Sequence, residues 1–222
     1  MPTRSSLDLF KRYRSEYVAP RQPRLINIEP AHYLTFDCDH AANTLDTEVL
    51  ERVLYSVVSA LRPVCMANHQ RDFIFGKLEL MLSSDVYSGI YLCKVMMRIP
   101  DFITGDDLAH AQASVLAREM DVDTAYWVRQ AHLEWFAEGL CTQMLHAGPC
   151  DLNSHKRGLA VLSHFASTQN LEVTGSLHAV YLASTRRVSP EHRRMLLRLP
   201  VRIANVAECM PASTADMKSA TD

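Results

Sequence analysis

The chain has 222 residues, of which 48% are apolar and 22% are charged, and its formal net charge is −2. This balance is typical of a globular protein, and it excludes a disordered chain and a general nucleic-acid binder, which needs an excess of Lys and Arg. No apolar run approaches the roughly 20 residues of a membrane-spanning helix, and the N-terminus lacks the apolar core of a secretory signal. We therefore expect a cytoplasmic protein with no membrane and no nucleic-acid partner.

Metal, disulfide and cofactor chemistry find little support in the residue pattern. The six cysteines include no C-x-x-C pair, and the ten histidines include no H-E-x-x-H motif. The sequence also lacks a dinucleotide fingerprint, a phosphate-binding glycine loop and a G-x-S-x-G elbow. We expect reduced thiols, no metal and no cofactor.

A strand, a helix and a hairpin are predicted in the first half of the chain. Residues that favour strands alternate from His32 in HYLTFDCD. Apolar residues recur at helical spacing over 45–61, and Pro63 is expected to end this helix. The apolar runs 73–82 and 91–99 flank Ser-Ser-Asp and Ser-Gly turn signals, which predicts a hairpin.

The second half repeats this order of elements. After a linker helix, DDLAHAQASVLAREM, and an extended segment from Val122, the residues LCTQMLHAG from Leu140 predict a strand. A helix over 152–169 and two strands, in SLHAVYLA and MLLRLPVRI, follow. The halves close on similar phrases, MMRIP at Pro100 and LLRLP at Pro200. This echo predicts two copies of one module.

The sequence predicts an α+β fold of two tandem strand-helix-strand-strand modules. They are expected to form a pseudo-twofold antiparallel sheet with a central ligand cleft. One domain is expected over residues 1–205, with the first module at about 24–100, a linker helix and extended segment at about 101–136, and the second module at about 137–205. Residues 206–222 are small and polar, and a disordered tail is predicted there.

Strand alternation indicates which side chains face the cleft. Glu79 and Met81 share one face of their strand, and Ala179 and Tyr181 share one face of theirs. Because runs of Leu and Val suit a face covered by helices, these four side chains are assigned to the cleft by elimination. A carboxylate in a partly apolar cleft favours a cationic ligand or a proton transfer, unless a nearby Arg pairs with it.

Aromatic residues give a second indication of a ligand site. Tyr55, Tyr91, Tyr181, Trp127 and Trp135 offer π surfaces to a flat or cationic ligand. Each of them alone is better explained as part of the hydrophobic core. Their joint presence around one cavity is what favours binding.

Several stretches of the sequence carry a family resemblance. They are AEGLCTQMLHAGPCD from Ala137, GSLHAVYLA from Gly175 and RRMLLRLPV from Arg193, together with LDLFKRYRSEYVAP and KLELML in the first half. These stretches resemble the GyrI-like small-molecule-binding family, and most of all its stand-alone members, which include hydrolases of cyclopropane-bearing, DNA-alkylating natural products. The resemblance implies a central pocket for amphipathic, often cationic ligands. It also implies ligand-binding roles for Glu138 and Gln143, which belong to the string E-G-x-x-x-Q-x-L-H-x-G-P.

The sequence departs from the family pattern in the pocket. The strand of Glu79 lacks the family's Gly and aromatic residues, and Ala179 stands where relatives carry a second pocket Glu. Losing one carboxylate would weaken the attraction for a cation by about 1–3 kcal/mol. A neutral ligand therefore also fits.

Two functions follow from these observations. The first is binding of a hydrophobic, flat ligand, cationic or neutral, for drug sequestration or self-resistance. The second is hydrolysis of a strained cyclopropane ring, with Glu79 as general base and Tyr181 as hydrogen-bond donor. Only about 24 residues precede the first strand, which is too few for a DNA-binding module, so regulation by direct DNA binding is not expected. A homodimer or a regulatory protein partner stays open.

Overall fold

A computed structural model describes residues 6–41, 47–84, 90–184 and 187–204. The α-helices are α1 (Leu9–Arg12), α2 (Thr47–His69), α3 (Gly105–Leu116), α4 (Val122–Gln130) and α5 (Leu152–Thr168), and short 3₁₀ helices span Arg14–Tyr17 and Pro190–His192. The strands are β1 (Arg24–Ile28), β2 (Ala31–Ala41), β3 (Leu78–Ser84), β4 (Ile90–Arg98), β5 (His132–Phe136), β6 (Gly139–Ala147), β7 (Leu171–Val173), β8 (Leu177–Tyr181) and β9 (Arg194–Ile203). The predicted tail, 206–222, lies outside the described residues.

The described strands form a nine-stranded antiparallel sheet. Its order is β1-β6-β9-β8-β3-β4-β2-β5, with β7 paired to β9. The order strand-helix-strand-strand occurs along the chain as β2-α2-β3-β4, and again as β6-α5-β8-β9 with the short strand β7 inserted after α5. The two halves join where β3 pairs with β8. Each half also adds a strand to the other, because β1 pairs with β6 and β5 pairs with β2. The predicted antiparallel α+β fold is confirmed.

The four longer helices, α2 to α5, cover one face of this sheet. Leu78, Leu80 and Leu82 of β3 belong to a hydrophobic core that includes the apolar side of α2 and Leu162 of α5. The assignment of these three leucines to the helix-covered face is therefore right. Among the described residues, none of the helices combines the length and the apolar character that crossing a lipid bilayer requires.

Helix α2 continues past Pro63 to His69, so the prediction that Pro63 ends it is wrong. A proline inside a helix removes one backbone hydrogen bond. Beyond it, however, Cys65 is buried in the core, and the side chains of Asn68 and His69 contact the carboxylate of Asp107 on α3 at 2.8 Å each. These contacts hold the last turns of the helix in place and offset the lost bond.

Residues 122–130 form helix α4, so the extended segment predicted from Val122 is wrong over this stretch. The carboxylate of Asp121 accepts hydrogen bonds from the backbone N–H and the hydroxyl of Thr124, both at 2.8 Å, which caps the helix start. Val128 packs into the core beneath the helix. The extended conformation is limited to the residues of β5.

A glycine sets the distance between α5 and the sheet. A Cβ atom added at Gly158 would overlap Cδ1 of Leu197 on β9. We expect Gly158→Ala to lower the free energy of unfolding by about 1–3 kcal/mol through overpacking, as measured by urea denaturation. The matched control is Gly105→Ala in the first turn of α3, where a Cβ would meet no atom within 4 Å. The control should be neutral or slightly stabilising. Equal losses in the two variants would contradict this account.

Candidate functional site

The face of the sheet opposite the helices carries ionisable side chains on its central strands. In the β3–β8 register, Glu79 lies opposite Val180 and Met81 lies opposite His178. In the β8–β9 register, His178 lies opposite Arg198. Directly paired residues point to the same side of a sheet. Glu79, His178 and Arg198 therefore share the face that the helices leave free.

These side chains belong to a larger buried group, which we call the Glu79 cluster. Its members are Glu16, Tyr17, Glu79, Arg98, Glu138, Gln143, His178 and Arg198. None of these residues has more than 8% of its surface exposed. Burying so many ionisable groups is unfavourable unless they pair with one another, and the contacts below describe the pairing.

His178 lies between two carboxylates. Its Nδ1 is hydrogen bonded to Oε1 of Glu138 at 3.0 Å. Its Nε2 is 3.0 Å from Oε2 of Glu79, which is an ion-pair distance without hydrogen-bond geometry. Burial alone would lower the pKa of His178, but the two carboxylates outweigh burial and raise this pKa to about 9. The imidazole is therefore protonated at neutral pH.

Arg198 joins three other members of the cluster. Its Nε donates to Oε1 of Gln143 at 2.8 Å, its Nη1 donates to Oε2 of Glu138 at 3.3 Å, and its Nη2 donates to the backbone carbonyl of Glu16 at 2.7 Å. Burial would raise the pKa of Glu138, but His178 and Arg198 outweigh burial and lower it to about 2. Glu138 is therefore ionised.

The formal charges of the cluster balance. Nη1 of Arg98 donates to Oε2 of Glu16 at 2.7 Å, and both side chains are buried. The two guanidinium groups and the imidazolium of the cluster thus match its three carboxylates in number. Such a balance explains how the cluster tolerates its burial, and any change of charge within it should be costly.

The N-terminal segment lies where the sequence predicts a cleft. The hydroxyl of Tyr17 donates a hydrogen bond to Oε1 of Glu79 at 3.2 Å, and the Tyr17 ring packs against Val180 and Leu196 on the free face of the sheet. Burial and then the charge of Glu79 raise the pKa of Tyr17, so its hydroxyl keeps its proton and acts as a donor.

Ala179 and Tyr181 do not share a face with Glu79, so that part of the prediction is wrong. Both residues lie in the core under the helices, where Ala179 pairs with Leu80 and the hydroxyl of Tyr181 is 3.3 Å from Nε2 of His155 on α5. The elimination failed because apolar residues occupy both faces of β8. Val180 packs against the N-terminal segment instead of the helices.

Three other predicted residues lie on the same side as Glu79. Met81 packs against a small apolar group on the free face that includes Tyr33 and Met96. Glu138 and Gln143, which the family resemblance adds, are both members of the Glu79 cluster. Their ligand-binding roles stay predictions.

The remaining aromatic candidates are not in the cluster. Trp135 lies on the edge strand β5, is 60% exposed and stacks on His32 at 4.9 Å between ring centroids. Tyr55 of α2 lies against Phe75 and lines an open groove of about 830 Å³. Trp127 packs beside the core. The backbone of Tyr91 is in β4, and its side chain is outside the described residues.

Sequence reasoning missed His178, Arg198, Arg98 and Tyr17. A signal was present for the first three, because each is a lone ionisable residue inside an apolar strand run, in SLHAVYL, MLLRLP and VMMRIP. A buried ion in such a run needs a partner, and that need points to another ion on the same face. No pattern in the sequence places Tyr17 against Glu79.

Three solved structures from Listeria innocua are similar to this chain over 89% of its length and 100% of theirs. They are described as a hydrolase (27% identity, TM-score 0.74), an uncharacterized conserved protein (26%, 0.76) and a hydrolase encoded by lin2189 (25%, 0.75). The C-terminal domain of EcmrR matches over 82% of this chain and 97% of that domain, with 10% identity and a TM-score of 0.56, which supports the fold alone. No protein-family model and no curated protein matches the sequence.

The chain therefore has a GyrI-like fold, as the sequence resemblance implies. Among the structures with this fold, the three Listeria chains align with this chain over their whole length.

Proposed function

We propose that this protein binds a flat, hydrophobic small molecule on the sheet face that carries the Glu79 cluster. The observation that supports this proposal is the position of Glu79. Its carboxylate is fully buried at the junction of the two halves, beside the apolar side chains of Met81 and Val180. Burying a carboxylate costs free energy of folding, and ionisable groups kept in such places are more often functional than elsewhere.

The charge balance of the cluster bears on the ligand. A cation entering beside Glu79 would add a positive charge to a group whose charges already match. It would bind well only if His178 released its proton, because His178 shares the carboxylates of Glu79 and Glu138. At pH 7 a neutral flat ligand should thus be preferred, and binding of a cationic analogue should strengthen as the pH approaches 9.

Hydrolysis of a strained ring is the second candidate function. Two of the Listeria neighbours, at 27% and 25% identity, are described as hydrolases. In this reaction Glu79 would take a proton from water as the water oxygen bonds to a ring carbon and one ring C–C bond breaks. The electron pair would move to a conjugated substrate oxygen, and protonated His178 would donate to it. Tyr181 cannot serve as this donor from the opposite face.

The two functions can be tested with matched probes and one substitution. Nile red and Nile blue share a flat ring system, but the first is neutral and the second is a cation. We expect saturable binding of Nile red at pH 7, followed by its fluorescence. Glu79→Gln should weaken binding of Nile blue at pH 9 by about 5- to 150-fold, because a hydrogen bond or ion pair to a charged group is worth about 1–3 kcal/mol. Glu172→Gln, on the exposed strand β7, is the matched control and should change neither affinity.

Several outcomes would contradict these functions. The binding proposal would be ruled out if neither dye bound at high micromolar concentration. It would also be ruled out if wild type and Glu79→Gln bound Nile blue with equal affinity at pH 9. For hydrolysis, an aromatic spirocyclopropyl dienone is incubated with the protein and examined by mass spectrometry. A product heavier by one water that Glu79→Gln fails to form would support the hydrolase, and full recovery of the intact compound would exclude it.

A further inference from the structure

The segment of residues 6–20, which we call the leader segment, is fixed to the rest of the molecule near both of its ends. At one end, the backbone N–H of Leu7 donates to the carbonyl of Asp72, and the carbonyl of Leu7 accepts from Ile74. At the other end, the carbonyl of Pro20 accepts from the backbone N–H of Leu145 on β6 at 2.8 Å. The leader segment thus crosses the free face of the sheet, which is the face opposite helices α2 to α5.

Between these ends the leader segment has little secondary structure of its own. It contains only the single turn of α1 and the 3₁₀ turn Arg14–Tyr17. Turns this short are not stable alone, so the middle of the leader segment depends on its contacts with the sheet. The main hydrophobic core includes none of residues 8–20, so detachment of this part would not by itself unpack that core.

The contacts in the middle of the leader segment are those that a flat, polar-edged ligand would make. The ring of Tyr17 packs on Val180 and Leu196, and its hydroxyl donates to Glu79. The guanidinium of Arg198 lies 5.7 Å from the centre of the same ring. An aromatic group with one hydrogen-bond donor already fills the position beside Glu79.

Neighbouring residues hold this aromatic group in place. Glu16 pairs with Arg98, and its carbonyl accepts from Arg198. The ring of Tyr13 stacks under the guanidinium of Arg98 at 3.7 Å, and Phe10 contacts the Tyr17 ring at 5.2 Å. Release of the leader segment would expose the free face around Glu79 as one continuous surface.

We propose that the leader segment is an intramolecular competitor for the ligand site, so that a ligand binds beside Glu79 only after Tyr17 has left. This inference rests on the proposed binding function. The apparent affinity for a ligand is then the intrinsic affinity reduced by the fraction of molecules whose leader segment is released. A substitution that weakens the closed state should increase that fraction and strengthen binding.

Tyr17→Phe in the full chain is the test. It keeps the ring packing but removes the hydroxyl, and it leaves Oε1 of Glu79 without this donor in the closed state. We expect hydrogen–deuterium exchange of the leader segment to become about tenfold faster and the affinity for Nile red to rise by a similar factor. Tyr126→Phe, at a half-exposed position on α4, is the matched control and should change neither quantity.

A second measurement distinguishes displacement of the leader segment by the ligand from a leader segment that stays in place and contacts the ligand. Saturating wild-type protein with Nile red should speed exchange in the leader segment, because the dye displaces it. Slower exchange, or a lower affinity for Nile red in Tyr17→Phe, would overturn the proposal and make Tyr17 a ligand contact. Equal Nile red affinity in Tyr17→Phe and wild type would also overturn it while leaving the binding function intact. If exchange speeds up in Tyr17→Phe but neither protein binds a dye, the binding function fails, and the proposed competition fails with it. The result would then show only that the Tyr17 hydroxyl holds the leader segment on the sheet.

Discussion

Arg198→Met is expected to lower the free energy of unfolding by about 3–5 kcal/mol. Methionine fills much of the same volume but donates no hydrogen bond. The substitution leaves the carboxylate of Glu138, the amide oxygen of Gln143 and the carbonyl of Glu16 buried without the donor they now share. Breaking a buried ion pair from one side is among the few single changes that cost this much.

The matched control for Arg198→Met lies on the same strand. Arg202 pairs with Glu172 at 2.8 Å, but both side chains are at least half exposed. Surface ion pairs contribute little, so Arg202→Met should change the free energy of unfolding by less than about 1 kcal/mol. Urea denaturation of both variants gives the comparison. Similar losses would mean that the charges of the cluster contribute no more than surface charges do.

A double variant tests the pairing itself. In Arg198→Met/Glu138→Gln, the unpaired carboxylate is removed together with its partner. Part of the stability lost in Arg198→Met should return, because a neutral amide costs less to bury than an unpaired charge. A double variant less stable than the sum of the two single changes would contradict the pairing.

The positions of most strands and helices along the chain could be predicted because local patterns determine them. Alternation identified β2, the turn signals identified the hairpin of β3 and β4, and helical spacing identified α5. The strand predicted over 73–82 begins only at Leu78. Two further errors concern local signals that other contacts or signals outweigh. Packing beyond Pro63 extends α2, and the Asp121 cap starts α4 where an extended segment was predicted.

The candidate site was harder to predict because it depends on strand register. Leu80 pairs with Ala179, so a twofold axis through this pair matches Glu79 with His178. The repeated closing phrases suggest an offset of 100 residues, which would match Glu79 with Ala179. In a strand, a shift of one residue moves every side chain to the other face. The position that seemed to have lost its ionisable group therefore belongs to the core, and the ionisable partner is the residue before it.

The position of Tyr17 depends on a tertiary contact between residues far apart in sequence. Its partner Glu79 is 62 residues away, and neither residue type nor spacing predicts that contact. In the stretch LDLFKRYRSEYVAP, an α-helix spans only Leu9–Arg12, and a 3₁₀ turn at Arg14–Tyr17 places Tyr17 over the sheet. Residues of this kind are accessible only through the structure.

The second large effect that we expect is a loss of stability as the pH rises from about 6.5 to 9. The pKa of His178 is about 9 in the folded protein and 6.5 in an unfolded chain. The folded state therefore binds this proton more tightly, so the stabilisation is complete below pH 6.5 and disappears as the pH passes 9. A difference of this size corresponds to a loss on the order of 3 kcal/mol.

On the acid side the change has the opposite sign. Burial lowers the pKa of His155 to about 4, so the folded state resists protonation of this residue. Stability should fall as the pH decreases from 6.5 to 4, and ionised Glu138, with its pKa of about 2, adds a further loss below about pH 4.5. The free energy of unfolding should therefore be greatest near pH 6.5.

Urea denaturation of wild type and His178→Gln between pH 5 and 9 tests the alkaline side. The variant should be less stable than wild type at pH 6, because Glu79 and Glu138 lose the cation between them. Its stability should then change little between pH 6.5 and 8.5, whereas wild type and the exposed control His110→Gln should both lose stability over this interval. Buried Cys65 and half-buried Cys150, whose pKa values desolvation raises to about 11, add a loss only near pH 9 and above, and they add it equally in all three proteins. If His178→Gln kept the wild-type slope below pH 8.5, the proton on His178 would not be what joins the two carboxylates, and the charge balance proposed for the site would be wrong.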